Sequence, residues 1–262
     1  MSSRFYNITF LASVLFLGFI LGIMFFLKLS SNYEELLFER IISTSFQSKK
    51  NLSDEERVIG LLDSTYKLLN PRKEFFGGKE WLSIRDKLLR SSDIQMLDGG
   101  ACGTHSHVLA KLLKKSNIPV RIAQMKCGKE YGCHIVVEAK LNNKFVVLDP
   151  LYNLFFRNKD GQLASFSEIS NDWNFYKSQV PKDYGMEMRY EGVRYTNWDK
   201  IPYFMPMVKK ILTLLFGDDA ENISIRTYVL NLYLTYFYML LISLPFMLGF
   251  SVYLYKRSSI RL

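Results

Sequence analysis

Two apolar runs frame the chain. Residues 5–27 and 227–255 contain no charged side chain, and each exceeds the roughly 20 apolar residues that a helix needs to cross a bilayer. Pro245 lies inside the second run, where a membrane helix tolerates proline when neighbouring groups satisfy the freed carbonyl. Both runs read as transmembrane helices. The first is longer than the ~7–15 apolar residues of a signal-peptide core. No Ala-x-Ala-like cleavage pattern follows it before Glu34, so it reads as a retained anchor.

Between the runs the period changes from helical to alternating. Residues 32–45 predict a membrane-proximal helix. Ser53-Asp54-Glu55-Glu56 has the form of a capping box ahead of Val58, Ile59, Leu61 and Leu62, and residues 79–89 carry a further helical pattern. Residues 30–97 therefore read as the helical, N-terminal part of a soluble domain. From Cys102 to about Lys115, Val108, Leu109, Leu112 and Leu113 recur at helical spacing and place one face on a core. Past Asn117 come three short runs, 120–125, 134–141 and 144–148, broken by Gly and by Asn142-Asn143. That pair reads as a tight hairpin turn, which makes the second and third strands antiparallel and brings His134 and Asp149 to the same end of a sheet.

Residues 98–200 read as a core with an aromatic-rich extension. Trp173 to Trp198 holds six Tyr and Trp residues, a composition suited to binding a sugar or a partner protein and equally to packing over the sheet. Residues 201–217 are apolar but include Lys209 and Lys210. That stretch is too short and too charged to span, and reads as an interfacial or docking helix.

The net charge of +9 resembles a nucleic-acid signature until it is partitioned. Arg4, Lys28, Arg226, Lys256, Arg257 and Arg261 flank the two spans and account for six of the charges, which leaves +3 for the rest. They read as topology signals, and a nucleic-acid partner is excluded. The C-terminal tail carries Lys256, Arg257 and Arg261 without an acid, and the N-terminal tail carries Arg4. Both termini are thus expected in the cytoplasm, with the central domain on the far side of the cytoplasmic (inner) membrane.

Three residues in this frame have contexts suited to catalysis. Cys102 opens a helix after Asp98-Gly99-Gly100-Ala101, where the macrodipole and unpaired amides favour a thiolate. His134 on one strand and Asp149 at the end of the next are placed to act as its base and as the acid that orients the base. Taken singly, each has a plainer reading: a small buried cysteine, a strand histidine, and the carboxylate of an Asp-Pro turn.

The order Gly100-Ala101-Cys102, Asn117-Ile118-Pro119-Val120-Arg121, His134 with Glu138, then Leu148-Asp149-Pro150 resembles the transglutaminase-like superfamily. In that family a Gly-x-Cys helix start, a Gly-Ile-Pro-Ala-Arg turn, a His-Ala-Trp-x-Glu strand and an Asp-Pro close follow one another. The resemblance covers about residues 98–153, under a quarter of the chain. It implies an α+β, papain-like/transglutaminase-like core, with a catalytic helix on an antiparallel sheet, flanked here by the two transmembrane helices. By the same resemblance Cys102 is nucleophile, His134 base and Asp149 orienting acid, and an upstream side chain, Gln95 or Trp81, completes the oxyanion hole. Ile135-Val136 replaces the family's Ala-Trp, Asn117 replaces Gly, and Thr104-His105-Ser106 follows the nucleophile where many members carry apolar or aromatic residues. These departures bear on substrate class.

His105, three residues after Cys102, either lines the cleft or is a polar helix residue near its mouth, while His107 is expected at the surface. Cys127 and Cys133 bracket a short loop, and in an extracytoplasmic domain they are candidates for a disulfide, with two free thiols as the alternative. A zinc site on Cys102, His105, Cys127 and Cys133 has an unusual spacing and leaves the His134-to-Asp149 order unexplained. The sequence thus points to a membrane-anchored cysteine amidase, peptidase or acyltransferase. No metal or organic cofactor is implied, and the expected partners are lipid, a protein, peptide or glycan-linked substrate, and other subunits of a membrane complex. The alternative is a catalytically silent scaffold module in an envelope or polysaccharide-assembly system.

Overall fold

Ser53 forms the capping box its spacing predicts. Its hydroxyl accepts from the Glu56 amide, and the Glu56 carboxylate accepts from the Ser53 amide at 2.8 Å, at the start of α2 (Asp54–Leu69). The structure, a computed structural model, describes residues 3–47, 51–72, 101–185 and 188–258. They group into two units, Met1–Leu36 with Asn231–Leu262, and Leu37–Leu230. The helical pattern at 79–89 lies outside the described residues.

Helix α1 (Ser3–Ser45) runs without a break, and its residues up to Leu36 belong to the first unit. The separate membrane-proximal helix expected over 32–45 is its continuation, because no proline or glycine follows Gly22 to interrupt it. The final helix of the chain (Leu232–Arg257) begins five residues later than the apolar run, because Asn231 caps it by accepting from the Leu234 amide at 3.0 Å. Both helices are long and apolar enough to cross a membrane, with mean hydropathies of 2.7 and 1.9 in their most apolar stretches. They pack antiparallel. The Phe10 and Tyr255 rings meet at 5.3 Å at one end, and Asn231 Nδ2 donates to Ser31 Oγ at 3.0 Å and Glu35 Oε1 at 2.9 Å at the other. From Phe10 to Ser31 a helix rises about 32 Å, close to the ~30 Å of a bilayer's hydrocarbon core.

In the second unit, α3 (Cys102–Lys115) precedes a meander of β1 (Val120–Cys127), β2 (Glu130–Leu141), β3 (Lys144–Asp149) and β4 (Leu154–Phe155). With β5 (Val193–Arg194) they form an antiparallel sheet in the order β4-β3-β2-β1-β5. Asn142 and Asn143 both adopt left-handed φ, +47° and +65°, as a two-residue turn matched to the strand twist requires. The chain is therefore mixed α+β with an antiparallel sheet.

Alternation along the strands covers both sheet faces. Ile122, Val137, Ala139, Val146 and Leu148 join Val58, Leu61, Leu62, Leu109, Leu112 and Leu113 of α2 and α3 in one cluster. Ala123, Met125, Val136 and Val147 join Phe156, Phe166, Ile169, Tyr176, Tyr184, Tyr190 and Tyr195 in another. The aromatic-rich extension is thus a packed layer over the second face, including α4 (Phe166–Asn171) and α5 (Trp173–Tyr176). Because α3 lies between the sheet and α2, its residues from Thr104 to Leu113 are all buried. His107, expected at the surface, is one of them at 8% exposure.

The motif residues Arg121 and Glu138 pair directly opposite across β1 and β2, with Arg121 Nε donating to Glu138 Oε2 at 2.6 Å. The guanidinium is held between the Phe145 and Tyr195 rings at 4.0 and 4.1 Å. Further along, α6 (Phe204–Phe216) buries none of its side chains.

Candidate active site

Cys102 is the first residue of α3, after Ala101 in extended conformation with no side-chain cap. A serine of the same helix fixes how α3 meets β2: Ser106 Oγ donates to the Ile135 carbonyl at 2.8 Å. Beside that anchor the β1–β2 ladder shifts. Gln124 pairs with Ile135 and Lys126 with Tyr131, so Met125 alone faces Gly132, Cys133 and His134. Gly132 at φ +94° opens this bulge, in a region that a side chain would strain. Bulges re-aim the side chains they carry. Here the carrier is His134, which the structure places beside Cys102 as well as beside Asp149.

The disulfide between Cys127 and Cys133 closes the same end of the hairpin, one residue before His134. With those sulfurs joined, the four-ligand zinc alternative loses two of its thiolates.

Asp149 closes β3 and is fully buried. Its Oδ1 accepts from the Leu151 amide at 3.1 Å, which is the Asp-Pro turn of the plainer reading. Its Oδ2 contacts His134 Nε2 at 2.6 Å and accepts from the Tyr184 hydroxyl at 3.1 Å. One carboxylate therefore serves both the turn and the imidazole. Since Nε2 is occupied by Asp149, Nδ1 is the ring nitrogen left for the side-chain hydrogen bond between His134 and Cys102.

Electrostatics complete the arrangement. Burial alone would raise the Cys102 thiol. The hydrogen bond and charge of His134, together with the Ile135 amide, outweigh burial, and the net shift is downward despite Asp149. Burial would lower His134, yet the hydrogen bonds and charges of Asp149 and Cys102 carry it up to about 9. A lowered thiol beside a raised imidazole is the direction in which a thiolate–imidazolium pair is favoured over the neutral thiol and imidazole. Of the three, only Cys102 is partly exposed, while His134 and Asp149 are buried.

Three tyrosines around the pair, Tyr152, Tyr184 and Tyr190, were not singled out in the sequence. Tyr184 and Tyr190 lie in the aromatic layer, their hydroxyls 3.0 Å apart. The His134 ring meets Tyr184 and Tyr152 edge-on at 6.1 and 6.0 Å. Tyr190 is fully buried at a left-handed φ of +57°, a conformation that costs a bulky residue about 1–2 kcal/mol. The available signal was the usual need of a buried tyrosine hydroxyl for a partner. It does not name the partner.

His105 is buried on α3 with Nδ1 3.2 Å from the Ala101 carbonyl, at the base of the first turn. Gln95 and Trp81, the expected oxyanion donors, lie outside the described residues. A cavity of about 610 Å³ is lined by residues of α2, the β2–β3 hairpin and the segment after β4, among them Glu55, Lys144 and Arg157, and lacks the three site residues.

The fold and the site together define an α+β protein with two candidate spanning helices and a thiol backed by a buried imidazole–carboxylate pair. Compared with family models, curated proteins and solved structures, the chain matches none of them.

Proposed function

We propose that this chain is a membrane-anchored, transglutaminase-like cysteine enzyme that cleaves an amide or peptide through a Cys102 thioester. The single observation that carries this reading is the linked set of Cys102, His134 and Asp149, with its thiol lowered and its imidazole raised. In the first half-reaction the Cys102 thiolate forms a C–S bond to the carbonyl carbon. The tetrahedral oxyanion collapses, the C–N bond breaks, and the imidazolium of His134 gives its proton to the departing nitrogen. In the second, water gives a proton to His134 as it attacks the thioester, and the thiolate leaves. An amine taking the place of water would make the reaction a transfer. The Cys102 amide, at the start of α3, is one oxyanion donor.

The papain-like assignment of the core rests on the order of helix start, strand histidine and strand-end aspartate along an antiparallel sheet. The membrane assignment is supported by the two antiparallel apolar helices; if both span, the two tails share one side, which the positive-inside rule makes the cytoplasmic side. The Cys127–Cys133 disulfide favours an oxidising compartment for the central domain. Helix α6 then serves as an interfacial element.

The test labels full-length protein in nanodiscs with a thiol-reactive acyl probe, comparing wild type with Cys102→Ala and His134→Ala, and reads thioester formation by intact mass. A hydroxylamine-sensitive adduct that needs both residues supports the enzyme. A Cys102 no more reactive near neutral pH than an ordinary thiol, and indifferent to His134, would leave the scaffold role.

A further inference from the structure

Asp149 Oδ2 receives two donors, the imidazole N–H of His134 at 2.6 Å and the Tyr184 hydroxyl at 3.1 Å. A phenol has one proton. With that proton committed to Asp149, the 3.0 Å contact between Tyr184 and Tyr190 is made by the Tyr190 hydroxyl donating to the Tyr184 oxygen. The order is fixed: Tyr190 to Tyr184, Tyr184 to Asp149, His134 to Asp149. Tyr184 and Tyr190 are buried in the aromatic layer, and burial holds both phenols protonated, as donors. Tyr190 is kept there at a left-handed φ, so the fold accepts backbone strain in order to place its ring.

A donor that shares an acceptor oxygen weakens what the oxygen offers to the other donor. Charge drawn toward the phenol proton is charge not available to the imidazolium. Leaving-group protonation requires His134 to release its proton, and an untempered carboxylate at 2.6 Å works against that release.

Resting on the Cys102–His134–Asp149 reading, we propose that Tyr184, backed by Tyr190, is a positioning residue that tempers Asp149 and so sets how readily His134 gives up its proton. Among the described residues, the groups that face His134 are Cys102 from α3, Asp149 from β3 and the rings of Tyr152 and Tyr184. The group that faces Tyr184 from behind is Tyr190. Tyr184 acts on His134 through Asp149, its hydroxyl bonded to the carboxylate while its ring meets the imidazole edge-on.

The chain has three histidines, so the His134 imidazole is assignable by difference in ¹⁵N-histidine spectra of the full-length protein in nanodiscs. The measurement is its titration midpoint in wild type, Tyr184→Phe, Tyr190→Phe and Asp149→Asn. Tyr184→Phe is expected to move the midpoint upward by ~0.5–1 pH unit, since one charge-assisted bond to the carboxylate is lost and only part of its effect reaches the ring. Tyr190→Phe leaves the Tyr184–Asp149 bond in place and is expected to move the midpoint the same way by less. Replacing Tyr184 with 3,5-difluorotyrosine, a stronger donor of the same shape, is expected to move it down. A midpoint unmoved or lowered in Tyr184→Phe, with Tyr190→Phe equally silent in a cooperatively melting protein, would overturn the proposal. If Asp149→Asn fails to lower the midpoint, it is the underlying Cys–His–Asp reading that falls.

Discussion

The Nε2 of His134 lies 2.6 Å from Asp149 Oδ2, with both side chains shut off from solvent, and this contact raises the imidazole that in turn lowers the Cys102 thiol. The imidazolium lowers the thiol, and Asp149 raises the imidazolium. Reactivity therefore belongs to a window. On the acid side it opens below the ordinary thiol value of 9.0, where Cys102 first loses its proton. On the alkaline side the ion pair ends near pH 9, where the imidazolium loses its own. The rate of iodoacetamide alkylation at Cys102 should rise at a pH below the ordinary thiol value and change again near pH 9. In Asp149→Asn the imidazolium loses its partner and the window narrows from the alkaline side, with neutral-pH alkylation reduced ~10-fold or more, one pH unit of coupling. A plain rise around pH 9 in the wild type would contradict the ion pair.

The disulfide should matter for both stability and reactivity. Cys127 and Cys133 are separated by six positions, and closing so short a loop removes about 2 kcal/mol of unfolded-chain entropy. A Cys127→Ser/Cys133→Ser double variant should melt lower by that order. It should also alkylate more slowly at Cys102, because His134 follows Cys133 in the bulge. The wild type treated with reductant should reproduce both changes. A variant with lowered melting and an intact alkylation profile would mean that the bulge is held by the ladder alone.

Arg121 and Glu138 predict a different loss. Glu138 is 1% exposed and its charge is met by Arg121. Removing one partner of a buried pair strands the other, at about 3–5 kcal/mol. Arg121→Leu should therefore destabilise the protein strongly in urea titrations. Arg121→Lys should recover only part, since an ammonium does not reproduce the planar stacking between Phe145 and Tyr195. Equal stability of all three proteins would remove the pair from the account of the fold.

Local chemistry made much of this legible in advance. The Ser53 box, the Asn142-Asn143 turn and the start of α3 at Cys102 are each written by residues whose preferences act within a few positions. Where contacts depend on pairing or on layers packed from afar, the sequence said less. Nothing local announces that β2 starts at Glu130 and bulges by two residues before Ile135, because the bulge is a property of its pairing with β1. His107 was misplaced because one apolar stripe on α3 does not reveal that α2 and the sheet enclose the rest of the helix. Tyr184 lies thirty-five positions from Asp149, a separation across which no spacing rule operates.

Helix α6 carries the last prediction. Phe204, Met207, Ile211 and Leu214 recur at helical spacing and are 54%, 53%, 50% and 86% exposed, with Tyr203 before them at 92%. Four large apolar side chains on one uncovered stripe mark an interaction surface, and in a chain with two candidate spans the interfacial reading assigns it to lipid. Single cysteines at Leu214 and Ile211, in a Cys102→Ser background, carry a nitroxide label in nanodiscs. Collision with oxygen should exceed collision with a water-soluble nickel chelate at both, and the order should reverse at Asp218, just past the helix end. A label at Ile242, within the candidate span, serves as the lipid reference. If Ile242 reports lipid while Leu214 and Ile211 report water, the stripe is a docking face for protein. If Ile242 also reports water, the spanning assignment itself is wrong.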